Sequence, residues 1–451
     1  MKFTDAQPLK PSEREDIAAS PIPNGPVDRQ AANTERGSFL GVLGPGLITG
    51  AADDDPSGIA TYSQAGAQFE LGLAWTMLFT FPLLACIQEI SARIGRTTGQ
   101  GIAANLREFY LRSLLFAMVG LLMIANTINL GADLGAMGEA LKLLAGGAGH
   151  VYVVGFALFC ATIQIFVAYG RYVYFLKWLT LALLAYVATL LVIEVPWGEV
   201  LLRTLVPAPG YGRDYFVGLV AVFGTTIAPY LMFWQAAQEV DEIALHPERE
   251  PLIRTPTAAS AEIRRIRIDT YLGIGVSNLV GLCIIVSTAL TLHMKGITNI
   301  ETAAQAAEAL RPIAGPFAFI AFAAGIVGTG LLAVPVLAGS SAYAIGEAIN
   351  HPVGLGRRPR EALTFYGVIA ASTLLGVGIH FSPVDPMKAL YWSAVVNGVL
   401  SVPIMAITIS LATQPRIMGR FVLPTYLRWG GWATTIIIAL VVTGMLAAVF
   451  T

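Results

Sequence analysis

Charge is the scarcest ingredient of this chain. Only 13% of its 451 residues are Asp, Glu, Lys or Arg, about half the ~25% carried by ordinary soluble domains. Apolar residues make up 55%, and mean hydropathy is +0.66. A water-soluble globule is excluded, and a polytopic membrane protein, with the lipid bilayer as its surroundings, is expected. The two signs nearly cancel, at a net charge of −1, so nothing points to nucleic acid as a partner. Cysteine is as scarce: Cys86, Cys160 and Cys283 lie in apolar runs without paired spacing. That excludes a disulfide frame or a zinc site and leaves small buried residues. His150, His246, His293, His351 and His380 fall at span ends or in loops with no His-x-x-His spacing, so a histidine metal cage is excluded too. Residues 1–38 lack the apolar core of a signal peptide. Their scattered prolines and mixed charge predict a disordered cytosolic tail.

What remains is a series of apolar segments near the ~20 residues a bilayer requires. Eleven spans are expected, at roughly 40–69, 71–92, 113–145, 151–169, 172–195, 215–238, 270–293, 315–348, 362–380, 388–412 and 431–450. With the N-terminus inside, one set of loops holds Arg93, Arg96, Arg107, Arg112, Arg171, Arg249, Arg254, Arg264, Arg265, Arg267, Arg357, Arg358, Arg360, Arg416, Arg420 and Arg428. The other set holds only Arg203, Arg213, Lys295, Arg311 and Lys388. This asymmetry predicts a plasma-membrane protein with a cytoplasmic N-terminus and an extracellular C-terminus. The acidic-then-basic loop 239–267 reads as a solvated cytoplasmic surface.

The first span contains an anomaly. Residues 49–58 read T-G-A-A-D-D-D-P-S-G, with Asp53, Asp54 and Asp55 between apolar stretches. Read as a loop between two spans, these acids need no explanation. Read inside the bilayer, they cost several kcal/mol unless they face a cavity or an ion path. Pro56 removes a backbone donor and breaks the helix, and a carboxylate beside freed carbonyls makes a hard-oxygen cation site.

A second interruption favours the intramembrane reading. The span at 215–238 carries Gly224, Thr225 and Thr226 ahead of Pro229, and it opens the second set of five spans. Interrupted segments at matching positions of two halves mark a transporter site. Five crossings invert the second half relative to the first, so the two breaks meet near the midplane. Asp55 then faces the carbonyls and the Thr225 hydroxyl of the other break. The expected organisation is a tail at 1–38, a first repeat at 39–195, an inverted repeat at 196–412, and a loop with an eleventh span at 413–451.

The residues at these breaks resemble a known family. G-P-G-L-I-T-G at 44–50, D-P-S-G at 55–58, A-T-Y-S-Q-A-G-A-Q-F at 60–69 and G-T-T-I-A-P-Y at 224–230 are similar to the NRAMP divalent metal transporters, over about residues 40–410. The resemblance implies an all-α polytopic protein with the LeuT-like fold: two inverted five-helix repeats plus an eleventh helix. It also implies transport of Mn²⁺ or Fe²⁺ with protons. The sequence departs from the family at the site itself. Gly58 stands where the family has a ligand Asn, Ala228 where it has a ligand Met, and Tyr230 where it has a His. Thr225 stands where a small residue offers its carbonyl. These changes resemble the magnesium-transporting branch of the family.

The substitutions carry a physical consequence. Without a thioether at residue 228, discrimination against hard ions weakens. A roomy oxygen-only pocket suits Mg²⁺, which keeps several waters, and Mn²⁺ passes as well. The candidate metal site is Asp55, Ser57, Gly58, Thr225, Ala228 and Tyr230. Asp54, and less so Asp53, either binds the ion's outer waters or lines an approach that attracts cations. The ion is cargo, no cofactor is expected, and a monomer is favoured.

The resemblance also implies proton coupling through acids of the third span and the sixth-span histidine. That histidine is absent here, and Asn129 stands near one acid position, with Asp133 and Glu139 the only acids nearby. Asn126 and Asn129 share a helix face and read as interhelical partners or as a polar path. Uptake of Mg²⁺ and Mn²⁺ driven by the membrane potential is therefore expected, and a proton-coupled Mn²⁺/Fe²⁺ importer is the alternative. Gln64, Gln68, Gln235, Gln238, Trp234 and Asn397 line the route or pack helices. An intramembrane aspartyl protease needs two aspartates on separate helices, whereas Asp53–Asp55 are contiguous. No segment resembles a signalling domain.

Overall fold

A computed structural model describes residues 49–50, 52–167, 184–207, 210, 212–245, 249–381 and 384–450. The tail at 1–38, the start of the first span, the 44–48 part of its motif, the first half of the span at 172–195 and His246 lie outside the described residues. The described helices of eight residues or more are α1 (Pro56–Phe69), α2 (Trp75–Thr98), α3 (Ile102–Phe109), α4 (Arg112–Ala145), α5 (Gly149–Phe166), α6 (Leu184–Val192), α7 (Trp197–Leu205), α8 (Arg213–Thr226), α9 (Pro229–Leu245), α10 (Ala259–Thr291), α11 (Ala318–Ala348), α12 (Leu363–His380), α13 (Pro386–Ala412) and α14 (Thr425–Phe450). No strand occurs among the described residues.

Nine stretches among the described residues are long and apolar enough to cross a membrane, with α8 and α9 counted as one. They coincide with nine of the eleven expected spans. The other two are the broken first span, described only from Thr49, and the span at 172–195, described only from Leu184. Large apolar side chains such as Leu158, Leu374 and Leu440 stand more than half exposed on α5, α12 and α14. In water they would be a liability; in a bilayer they face lipid.

The interior is set by close helix contacts. α4 packs along α11, α12 and α13, α10 packs against α1 and α2, and α8 lies against α13. Glycine permits the tightest of these. A Cβ on Gly224 of α8 would lie 2.0 Å from the Ala394 carbonyl oxygen and 2.4 Å from the Gly398 amide nitrogen of α13. Gly398 is as confined from the other side, 2.7 Å from the Val220 carbonyl. Gly95 of α2 makes the same approach to Ala236 of α9, at 2.1 Å. Such backbone-to-backbone approach is how membrane helices gain packing energy that hydrophobicity cannot supply in lipid. Gly330 of the 325–330 glycine run likewise accommodates the Met137 side chain of α4, which is the packing role its spacing suggests.

Gly224→Val should therefore force α8 and α13 apart and lower stability by about 1–3 kcal/mol, the range of overpacked interiors. Gly155→Val, at a site with nothing within 4 Å, should stay within about 0.5 kcal/mol. Thermal unfolding of both variants in the same detergent provides the comparison.

Candidate cation-binding site

The first helix breaks at Asp54 and Asp55, between helical residues 52–53 and α1. Pro56 takes the first helical position, where its missing N–H costs nothing. Asp55 becomes the N-cap, extended at φ −67° and ψ 170°, and its Oδ1 accepts the Gly58 amide at 2.7 Å. The second break falls at Ile227 and Ala228, between α8 and α9. Where α8 stops, its last carbonyls have no helical donor ahead of them.

These two breaks meet. Ser57 Oγ donates to Asp55 Oδ1 at 2.6 Å and lies 3.2 Å from Thr225 Oγ1. The Tyr230 hydroxyl donates to the Ala52 carbonyl at 3.0 Å and reaches Asp55 Oδ2 at 3.3 Å. Tyr62 of α1 pairs its hydroxyl with that of Thr226 at 3.1 Å. Asn129 of α4 donates to Asp55 Oδ2 at 3.0 Å and accepts from Ser393 of α13 at 2.8 Å. Asp55 thus gathers a backbone amide, a serine, an asparagine and a tyrosine from three helices, all buried.

Every donor or acceptor in this cluster is oxygen or nitrogen. Ala228 is 1% exposed and brings no heteroatom in its side chain. Gly58 keeps the cluster open: a Cβ there would stand 3.1 Å from the Asp53 carbonyl and 3.6 Å from Asp55 Oδ1. Among the described residues no group of three or more His, Cys, Asp or Glu has metal-holding geometry. An ion held here would rest on one direct carboxylate, hydroxyls, carbonyls and its own waters. That is a hard-ion donor set.

Asp53 and Asp54 turn elsewhere. The single hydroxyl of Ser277 on α10 lies 2.9 Å from Asp53 Oδ2 and 3.1 Å from Asp54 Oδ1. Both carboxylates are buried, and among the described residues no ion pair reaches Asp53, Asp54 or Asp55.

The other polar candidates divide. Asn126 donates to the Leu337 carbonyl and to Ser341 of α11, a helix-packing role, whereas Asn129 reaches Asp55. Gln64 donates to Gln68 and to the Thr298 carbonyl and accepts from the Ile300 amide, tying α1 to the loop after α10. Gln235 accepts from Thr49. Asn397 is buried with neither amide atom partnered among the described residues. The sequence reading missed Ser393, which orients Asn129, and Ser277. Nothing distinguishes these serines from other small residues of apolar helices.

The two ends of the bundle differ. At one end a cavity of about 450 Å³ descends between α1, α8 and α13, lined by Ala60, Gln64, Asp214, Asn299, Lys388 and Trp392. At the other end of α10, charged groups bind helices together. Arg265 meets Glu239 of α9 at 2.6 Å and Glu262 at 3.1 Å. Arg96 of α2 meets Glu262 at 3.2 Å. Glu89 of α2 takes Arg93 at 2.6 Å, Arg267 at 3.5 Å and the Tyr426 hydroxyl of α14 at 3.2 Å. Glu89 and Glu239 are fully buried, so removing their arginine partners would leave an uncompensated buried charge.

The comparisons agree with this architecture. The family model described as "Natural resistance-associated macrophage protein-like" matches residues 46–448. The chain is 26% identical to a divalent metal cation transporter MntH of Deinococcus radiodurans, covering 96% of each chain. It is 25% identical to the MntH of Klebsiella pneumoniae, covering 92% of this chain and 95% of that one. Among solved structures, the Eremococcus coleocola manganese transporter mutant H236A superposes with a TM-score of 0.68 at 16% identity, over 90% of this chain and 86% of that one. The nucleobase-cation-symport-1 family transporter Mhp1 in a closed conformation gives 0.54 at 13%, over 90% and 92%. The chain is therefore an integral membrane protein of the LeuT-like fold, and it belongs to the Nramp family.

Proposed function

We propose that this chain carries Mg²⁺, and with it Mn²⁺, across the plasma membrane into the cytoplasm by alternating access, without proton coupling. The observation that carries this reading is the oxygen and nitrogen surround of Asp55, with neither sulfur nor histidine at the two helix breaks. The ion's ligands are Asp55, Ser57, Thr225 and the carbonyls at the breaks, with Ala228 and Gly58 leaving room for retained waters. Tyr230 holds the two broken helices in register, and Asp53 and Asp54 add negative potential along the approach. The repeats run from 39–195 and 196–412, and the N-terminus is cytoplasmic. In that orientation the cavity beside Gln64 opens outward, and the Glu89 and Glu239 pairs close the cytoplasmic side.

The driving force suffices without protons. A membrane potential supplies ~2.3 kcal/mol per charge per 100 mV, so about twice that for a divalent ion. A second reading is a proton-coupled Mn²⁺/Fe²⁺ importer, and the naming of relatives as divalent metal cation and manganese transporters favours its choice of metal. It lacks the histidine, since Tyr230 occupies that place.

Proteoliposomes decide the main points. With an inside-negative potential, wild-type protein should admit Mg²⁺ and Mn²⁺. Asp55→Ala should reduce flux to the background of empty vesicles, and retained flux would dismiss this site. A luminal pH dye should stay silent during Mg²⁺ uptake; acidification that follows the ion would favour the proton-coupled reading. Ala228→Met should raise Cd²⁺ affinity by about tenfold or more relative to Mg²⁺, in line with the preference of thioether for soft ions. Unchanged selectivity would mean that residue 228 does not face the ion.

A further inference from the structure

One buried acid has no place in the account above. Asp133 lies on α4, four residues beyond Asn129, so the two occupy one helix face. Asn129 donates to Asp55. Asp133 is fully buried, and neither of its carboxylate oxygens has a hydrogen-bond partner of ordinary geometry among the described residues. Its polar surroundings are the Ser57 amide, at the start of α1, and the Asp55 carboxylate. No ion pair reaches it among the described residues. Two buried carboxylates thus face the first turn of α1, Asp55 with several protein donors and Asp133 with none of ordinary geometry among the described residues.

Such an arrangement is costly. A buried carboxylate without a partner is among the least tolerable groups in a protein interior, and more so within a bilayer. A second one beside it adds repulsion. The cost is relieved when a positive ion arrives.

We propose that Asp133 is the second carboxylate of the cation pocket, acting with Asp55 to balance both charges of a divalent ion. This deepens the proposed function and rests on it. Two negative charges match one divalent cation. A monovalent ion would leave one negative charge uncompensated in a dry site. This supplies a basis for selecting charge that needs no sulfur ligand. Asp133 need not touch the metal. Mg²⁺ keeps several waters, and a carboxylate behind Ser57 can accept hydrogen bonds from them. Asp53 and Asp54 do not take this role, because Ser277 holds both on the α10 side of the break.

The competing explanation is structural: Asp133 faces the N-terminus of α1, where any anion is welcome. Asp133→Asn separates the two, because asparagine keeps an oxygen for the Ser57 amide and loses only the charge. The experiment is calorimetric titration of the full chain in detergent with Mg²⁺ and with Mn²⁺, beside metal-free thermal unfolding. We expect Asp133→Asn to weaken Mg²⁺ binding by about tenfold or more, the scale of groups that support a metal indirectly, with an unchanged or higher metal-free Tm. Binding within about twofold of wild type, while Asp55→Asn abolishes it, would overturn the role of Asp133 and leave the proposed function standing. Binding that survives in Asp55→Asn as well would remove the site itself. Weaker binding together with a lower metal-free Tm would assign Asp133 to helix capping and overturn the proposal. If Asp133→Asn does not fold, Asp133→Ser is read in the same way.

Discussion

The structure depends on how an aspartate is kept inside a bilayer. Asp55 sits where a helix has been cut, and its carboxylate is held by a backbone amide of the following helix, two hydroxyls and an amide side chain. Each of these contacts recruits another element. Ser57 reaches Thr225 at the end of α8, Tyr230 reaches back to Ala52, and Asn129 is oriented by Ser393 on α13. Two broken helices, α4 and α13 therefore share one polar knot surrounded by apolar packing. In a medium without water, those hydrogen bonds fix the geometry more strictly than they would on a soluble surface.

Much of this was legible in the chain. The prolines at 56 and 229 announced the breaks, because a missing donor inside an apolar span has few other readings. Matching positions in the two halves predict that the breaks meet, and they do, although among the described residues Asp55 reaches Thr225 through Ser57 and not directly. The side-chain partners were harder. Asn126 and Asn129 share a helix face, yet one bonds α11 and the other bonds Asp55. A rotation of one turn along α4 decides between them, and periodicity does not resolve it. Asp53 and Asp54 were equally ambiguous, since the direction of an acid at an irregular turn depends on φ and ψ there. Ser277 and Ser393 carry no signal at all, because serine is common wherever membrane helices pack closely.

The departures from family pattern act together. A methionine or histidine at the second break would add soft or titratable donors. Ala228 supplies no side-chain donor and Tyr230 only a neutral hydroxyl, and Gly58 withholds a side chain from the first break. An ion held at these breaks would therefore meet fewer protein ligands and keep more of its own water. Such a pocket recognises charge and hydration more than ligand softness.

The glycine contact between α8 and α13 has a mechanical corollary. With Gly224 and Gly398 at backbone contact, these two helices have no side chain between them to yield, so sliding one past the other would drive backbone atoms together. Bending of either broken helix is easiest at the irregular residues 54–55 and 227–228, where the helical hydrogen-bond ladder is interrupted. Those residues include Asp55 and adjoin Tyr230, whose side chains meet across the two breaks. An ion held between the breaks would sit where the bundle bends most easily, so its grip and the angle of that joint would be set together.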